Sequence, residues 1–186
     1  MGNLIPLFLG ISDGKCGIQW NLAIDKSQRL IRLGVNLEGS QNIGKWLISS
    51  FILNQPDIKI LQSKTTSPEA ITIRFTRDAW QGASRLNIKE KFLGRKEHTL
   101  SELSQNDWYK ILEEALSCLD ETRHFRARKK SQIVTLVSDG RQLLKDVSPH
   151  LTIWTTISSE GNINTNLKNG LRLLQPVYAW VEDNCH

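Results

Sequence analysis

The sequence contains little cysteine: Cys16, Cys118 and Cys185 are the three cysteines among 186 residues. An odd number leaves at least one thiol unpaired, and no two of the three have the spacing of ligands to one metal ion. Reduced thiols are therefore the simplest interpretation. A metal site built from cysteine is not expected.

Long hydrophobic runs are also lacking. The longest predominantly apolar stretches, 4–11 and 46–53, have eight positions each, whereas a membrane-spanning helix needs about 20. No basic residue precedes the first of these stretches, and Pro6 stands where a myristoylation signal has serine or threonine. We therefore expect a soluble cytoplasmic protein with no membrane partner. Its length suits one hydrophobic core, which predicts a single globular domain over 1–186.

The sequence has no recognisable catalytic motif. Its histidines, His98, His124, His150 and His186, are scattered, and none has a partner two to four residues away with which to bind a metal. There is no Gly-x-Ser-x-Gly elbow, and the glycine-rich segment 10–17 lacks the spacing of a phosphate-binding loop. We therefore expect no cofactor and no metal, and the sequence leaves open whether the protein is an enzyme.

Positive charge exceeds negative charge. The chain has 24 Lys and Arg against 19 Asp and Glu, a net charge of +5. In 123–145 seven basic residues are accompanied by one acid, Asp139, so the balance of this segment, +6, exceeds the net charge of the whole chain. Such an excess favours a polyanionic partner such as nucleic acid.

The clearest strand pattern lies near the start of the chain. Apolar residues occupy every second position over 18–24 and again over 31–37, with the polar connection 25–28 between them. This pattern predicts an antiparallel hairpin with one apolar and one polar face. The segment 4–9 is predicted to add an edge strand, because Pro6 cannot donate to a strand ladder.

Later segments alternate between strand and helix patterns. Period-two alternation predicts strands at 58–60, 71–75, 86–88, 133–137, 142–147 and 151–157, with a hairpin turn at Asp139-Gly140. Helical spacing predicts helices at 43–51, 108–119 and 167–181, the last interrupted by Pro176. Strand clusters each followed by a helix predict the α+β class, with a largely antiparallel or mixed sheet and the helices packed on one face.

Four of the six tryptophans fall on these predicted apolar faces. They are Trp20, Trp46, Trp108 and Trp154, and we expect them to pack in the core. Trp80 lies instead in a polar, turn-like stretch, where an exposed indole is suited to contact a partner.

Two basic segments form the candidate binding surface. The first is centred on 123–145, and its candidate residues are Arg123, Phe125, Arg126, Arg128, Lys129, Lys130, Arg141 and Lys145. The second supplies Arg85, Lys89, Lys91 and the neighbouring Trp80. Cationic side chains pair with phosphates, and aromatic rings stack on unpaired bases. The alternative interpretation is that both segments are solvated surface charges, with Lys89 and Lys91 on the outward side of a strand.

Three functions are consistent with these patterns. We predict a domain that binds nucleic acid, DNA or RNA, through the basic surface. The second hypothesis is a protein-interaction module or homodimer, with Trp80 or the C-terminal apolar stripe as the contact. The third is a Mg²⁺-dependent nuclease in which Asp57, Lys59 and Glu38 converge, since acids are needed to hold the ion. This last hypothesis places Asp57 and Lys59 on one side of a strand.

Overall fold

The structure is a computed structural model that describes residues 5–7, 18–25, 27–37, 47–76, 96–115, 136–138, 141–143 and 150–185. Within these residues, six strands form one antiparallel sheet that is accompanied by four helices. The predicted α+β fold is confirmed. The expectations that all helices pack on one face and that the chain forms a single domain stay predictions.

The strands are numbered along the chain. Those of the main sheet are β1 (Ile5–Leu7), β2 (Ile18–Asp25), β3 (Leu30–Leu37), β4 (Ile71–Thr76), β5 (His98–Thr99) and β8 (His150–Ser158). Their order across the sheet is β1, β2, β3, β8, β4, β5. A separate antiparallel pair consists of β6 (Leu136–Ser138) and β7 (Arg141–Leu143). The last strand of the chain is therefore inserted between β3 and β4.

Three predicted strand pairings are confirmed. In the N-terminal hairpin β2 pairs with β3, and Trp20 lies opposite Val35. The edge strand β1 pairs with β2, which places Pro6 at the margin of the sheet. In the second hairpin Ser138 lies opposite Arg141, so the Asp-Gly pair connects β6 directly to β7.

The helices are α1 (Leu47–Leu53), α2 (Ile58–Lys64), α3 (105–115) and α4 (Ile163–Asp183). The stripe predicted at 108–119 is confirmed over 108–115, and its remaining positions lie outside the described residues. Ser104 caps the start of α3: its hydroxyl accepts the backbone N–H of Asp107 at 3.1 Å and donates to the Asp107 carboxylate at 2.8 Å.

The strand predicted at 58–60 is wrong, because these residues form the first turn of α2. Asp57 caps this helix, and its Oδ1 accepts the backbone N–H of Lys59 at 2.8 Å. Ile58 and Leu61, three residues apart, are buried, whereas Ile60 is 46% exposed. The buried residues therefore have the spacing of a helix, and Ile58 and Ile60 do not share a buried face.

The C-terminal helix α4 continues through Pro176, where the sequence predicts a kink or a restart; the predicted restart is wrong, and the kink stays a prediction. A proline inside a helix removes one backbone hydrogen bond. Leu174 before it and Val177 and Trp180 after it are all buried, so packing on both sides of Pro176 holds the helix together. Neither α4 nor any other helix of the described residues has the length and apolar character needed to cross a membrane.

We call the face of the sheet that α4 covers the inner face. A Cβ placed on Gly170 of α4 would lie 3.1 Å from Cδ2 of Leu33 and 3.3 Å from Cγ2 of Ile157. Tyr178 of α4 stacks on Trp20 of β2, with ring centroids 5.4 Å apart. No residue of the central inner face is more than 5% exposed; its members are Ile31, Leu33, Val35, Leu37, Ile71, Ile73, Phe75, Leu151 and Ile153.

An aromatic cluster joins three helices to β4. Phe51 of α1 meets Trp108 of α3 and Trp180 of α4 edge-on, at centroid distances of 6.4 and 5.3 Å. Phe75 of β4 lies 5.9 Å from Trp108. The Trp108 indole N–H donates to the Pro56 carbonyl at 2.7 Å, so this buried ring is also satisfied as a donor. The expectation that Trp108 packs in the core is confirmed.

Leu112 is a test of this packing, because it lies on the buried side of α3 and is 2% exposed. Replacing Leu112 by Ala should lower the free energy of unfolding by about 2–5 kcal/mol, through lost apolar burial and the cavity left behind. Lys110→Ala, at an exposed position of the same helix, should change it by less than about 0.5 kcal/mol. Urea unfolding of both variants measures the difference. Equal effects would contradict the burial of this stripe.

Candidate functional site

Most of the residues in the predicted binding surface lie outside the described residues. Arg141 begins β7 and its backbone is described, but its side chain is not. The structure therefore does not test whether the two basic segments meet on one surface. The candidates outside the described residues are Arg123, Phe125, Arg126, Arg128, Lys129, Lys130, Lys145, Arg85, Lys89, Lys91 and Trp80.

The described residues contain a different candidate site, on the opposite face of the sheet from α4. We call this the outer face. Side chains alternate between the two faces along a strand, so in four strands the residues between the core positions belong to the outer face. Its apolar residues are Ala23, Leu30 and Trp154, and its polar residues include Gln19, Asn21, Arg32, Asn36, Thr72, Arg74, Thr152 and Thr156.

Trp154 is the centre of the outer face. It lies opposite Gly34 on β3 and opposite Thr72 on β4. Arg32 and Arg74 are each two residues from those partners, so they approach the ring diagonally from the two flanking strands. Both guanidinium carbons lie 5.5 Å from the centroid of the Trp154 ring, within the range of a cation–π contact.

The expectation that Trp154 packs on the apolar face needs a correction. Trp154 is only 4% exposed, but its neighbours Ile153 and Thr155 occupy the inner face, so its own side chain belongs to the outer one. The apolar residues of β8 are Leu151, Ile153 and Ile157, all at odd positions, and a tryptophan at an even position cannot share their face. Its burial comes in part from the two arginines that contact it.

Gly34 gives the space that this arrangement needs. A Cβ at this position would lie 2.8 Å from Oδ1 of Asn21, 3.0 Å from Cβ of Trp154 and 3.1 Å from the Ile153 carbonyl oxygen. The Asn21 side chain donates in turn to Oδ1 of Asn36, which is 4% exposed. Glycine at position 34 therefore lets the tryptophan and an amide pair sit side by side on adjacent strands.

Arg74 is partly buried on the outer face. Burial lowers the pKa of Arg74, the carboxylate of Glu97 raises it, and the positive charge of Arg32 lowers it again. Arginine stays protonated at neutral pH in spite of such shifts. One guanidinium nitrogen, Nη1, lies 3.3 Å from Oε1 of Glu97. Nε of Arg74 is buried and has no hydrogen-bond acceptor among the described residues.

Arg32 has a weaker acidic neighbour, Asp25 at the end of β2. A hydrogen bond from the Ser27 hydroxyl is the main cause that lowers the pKa of Asp25, and the Gln28 backbone N–H and the charge of Arg32 lower it further. Oδ1 of Asp25 accepts from the Ser27 hydroxyl at 2.6 Å and from the Gln28 backbone at 3.1 Å. This carboxylate thus organises the β2–β3 turn, and no acid within the described residues forms an ion pair with Arg32.

Two guanidinium groups held against one indole bring donors suited to an anion together on the outer face. A cation–π contact uses the face of the guanidinium group, whereas its N–H donors lie in the guanidinium plane. Donors of this geometry match the oxygens of a phosphate or a carboxylate. Because the ring restrains both side chains, less rotamer entropy is lost when an anion binds.

The residues of the nuclease hypothesis are only partly described. Asp57 has a structural role as the cap of α2, and Lys59 is exposed in the first turn of that helix. Glu38 lies outside the described residues, so their convergence stays untested. Among the residues that the structure describes, no group of three metal-ligating side chains could hold an ion.

Comparisons of the chain with protein families, with curated proteins and with solved structures found no match. Arg32 and Arg74 were not among the binding residues predicted from the sequence. The feature that could have identified them is that each occupies an outward-facing position of a strand that flanks β8. Finding it requires the strand order, because β8 is separated from both partners by long stretches of chain.

Gly34→Ala tests the close packing of the outer face. The added methyl group would press on the Trp154 Cβ and on backbone, so the free energy of unfolding should fall by about 1–3 kcal/mol. Gly170→Ala is the comparison, because its methyl would meet side-chain methyl groups of Leu33 and Ile157 and no backbone, and would improve helix propensity. That variant should stay within about 1 kcal/mol of the parent. Thermal unfolding measures both, and a larger loss for Gly170→Ala would contradict this account.

Proposed function

We propose that the protein binds nucleic acid and that the outer face around Trp154 is part of the binding surface. The observation that supports this most directly is the pair of arginines, Arg32 and Arg74, held 5.5 Å from the Trp154 ring. Arginine is suited to phosphate recognition because its planar donors match phosphate oxygens. Amide and hydroxyl groups of the same face supply further donors to phosphate and sugar.

The charge of the chain favours a polyanion over a single small anion. The net charge of the chain is +5, and the segment 123–145, with seven basic residues and one acid, by itself carries +6. In the proposal, this segment and the one containing Arg85, Lys89, Lys91 and Trp80 extend the surface that Arg32 and Arg74 begin. Several cations spread over one surface would release counterions from a nucleic acid on binding, which makes the affinity strongly dependent on salt. The cytoplasmic location expected from the sequence belongs to the same proposal.

Substitutions at Arg32 and Arg74 test the proposal. The double substitution Arg32→Gln with Arg74→Gln should weaken binding and lower the slope of log affinity against log salt by about 0.9 for each lost phosphate contact on duplex DNA, or about 0.7 on a single strand. Fluorescence anisotropy with a labelled thymidine oligonucleotide, a DNA duplex and an unstructured RNA measures this at several salt concentrations. Thermal unfolding checks that the double variant is folded.

Arg172→Gln, on the exposed side of α4, is the matched control for each of the single substitutions Arg32→Gln and Arg74→Gln, because it removes one positive charge from the helix side of the sheet. It should leave the salt slope close to that of the parent. Equal effects of Arg172→Gln and of either outer-face substitution would exclude a specific role for that face. If the parent binds none of the probes at low salt, the nucleic-acid proposal is wrong, and concentration-dependent oligomerisation would then favour the interaction-module hypothesis.

The same titration separates the outer face from the predicted basic segment. Neutralising Arg126, Arg128, Lys129 and Lys130 should lower the salt slope on duplex DNA by up to about 3.6 if all four contact phosphates. Phe125→Ala should weaken single-strand binding by about 1–3 kcal/mol if its ring stacks on a base. An unchanged affinity in the fourfold variant would remove this segment from the proposed surface.

A further inference from the structure

The two arginines of the outer face differ in their acidic partners. Glu97 immediately precedes β5. Because Ile73 of β4 pairs with His98 of the antiparallel β5, Glu97 lies opposite Arg74. The Glu97 carboxylate and the Arg74 guanidinium are 3.3 Å apart, and their side chains are 48% and 35% exposed. This ion pair is therefore close to the surface and within reach of a ligand.

Arg32 has no equivalent partner among the described residues. The nearest acid that affects it, Asp25, uses Oδ1 to accept hydrogen bonds from the β2–β3 turn. Both arginines contact the same ring at the same distance, so their cation–π contacts do not distinguish them. The difference between them is the carboxylate beside Arg74.

We propose that Glu97 competes with phosphate for Arg74 and so sets the affinity of the outer face for nucleic acid. This inference rests on the proposed function. A carboxylate and a phosphate use the same guanidinium donors, and a bound phosphate next to Glu97 would also meet an uncompensated negative charge. Arg32 is then the first phosphate contact, and the Nη1 donors of Arg74 become free for phosphate when Glu97 is displaced.

The exposure of the pair makes such displacement feasible. An exposed ion pair typically contributes less than about 1 kcal/mol, because solvent and salt screen it. A phosphate can therefore replace Glu97 without disrupting the fold. The competition should nevertheless be measurable, since the loss of even a weak competing contact changes an affinity several-fold.

Glu97→Gln tests this competition directly. It should tighten binding of the labelled thymidine oligonucleotide roughly two- to fivefold at low salt and raise the salt slope by about 0.7, because one more phosphate contact forms. Glu160→Gln is the matched control. Glu160 forms an exposed ion pair with Arg29 at 2.6 Å, and its replacement changes the net charge by the same amount at the end of β8. It should tighten binding less than Glu97→Gln does.

A double-mutant cycle with Arg74→Gln assigns the effect to the pair. In the Arg74→Gln background, Glu97→Gln should tighten binding no more than Glu160→Gln does. The inference is wrong if Glu97→Gln leaves the affinity unchanged, if Glu160→Gln tightens it equally, or if the full gain persists without Arg74. Thermal unfolding of Glu97→Gln verifies folding, and Glu97→Ala repeats the test at the same position. The proposed function fails separately, if the parent itself binds no probe.

Discussion

The pairing of β8 with both β3 and β4 is the constraint on which the rest of the sheet depends. This strand, His150–Ser158, joins the N-terminal hairpin to the β4–β5 pair. Its partners come from much earlier in the chain, so the loops that must close are long and the contacts are non-local. The sheet is complete only when the last strand has been inserted, and α4 follows directly to cover it.

The alternation of β8 also relates stability to the candidate site. Leu151 and Ile153 fill the core beneath α4. Trp154, the next residue along the strand, faces the other way and contacts the two arginines of the outer face. A shift of the register by one residue would move the tryptophan into the core and Ile153 to the outer face. The same hydrogen-bonded register therefore fixes the inner packing and the positions of Arg32 and Arg74.

Local patterns predicted much of the fold. The hairpin of β2 and β3 was predictable because its period-two pattern persists over both strands, and α3 because its apolar stripe continues through successive turns. The segment at 58–60 was misassigned because two isoleucines are too few to distinguish a strand from a helix turn, whereas the cap at Asp57 decides it. Pro176 was overestimated as a helix breaker because tertiary packing on both sides outweighs one lost hydrogen bond.

The candidate site was less predictable than the fold. Arg32, Arg74 and Trp154 come from three strands, and no local spacing connects them until the order β3, β8, β4 is known. A charge count over a sequence window finds clusters such as 123–145, but it cannot find a pair of arginines assembled across a sheet. The face to which Trp154 belongs is readable from its even position in β8, once the odd positions are assigned to the core.

The most direct test of this account is the NMR signal of the Trp154 indole N–H, assigned by comparison with Trp154→Phe, during titration with a thymidine oligonucleotide. The account predicts that this signal and the Nε–H signals of Arg32 and Arg74 shift together and saturate. The N–H signal of the Trp108 indole, which is buried and hydrogen-bonded to the Pro56 carbonyl, should not shift. Formation of a complex that leaves the Trp154 and arginine signals unchanged would contradict the claim that the outer face binds nucleic acid.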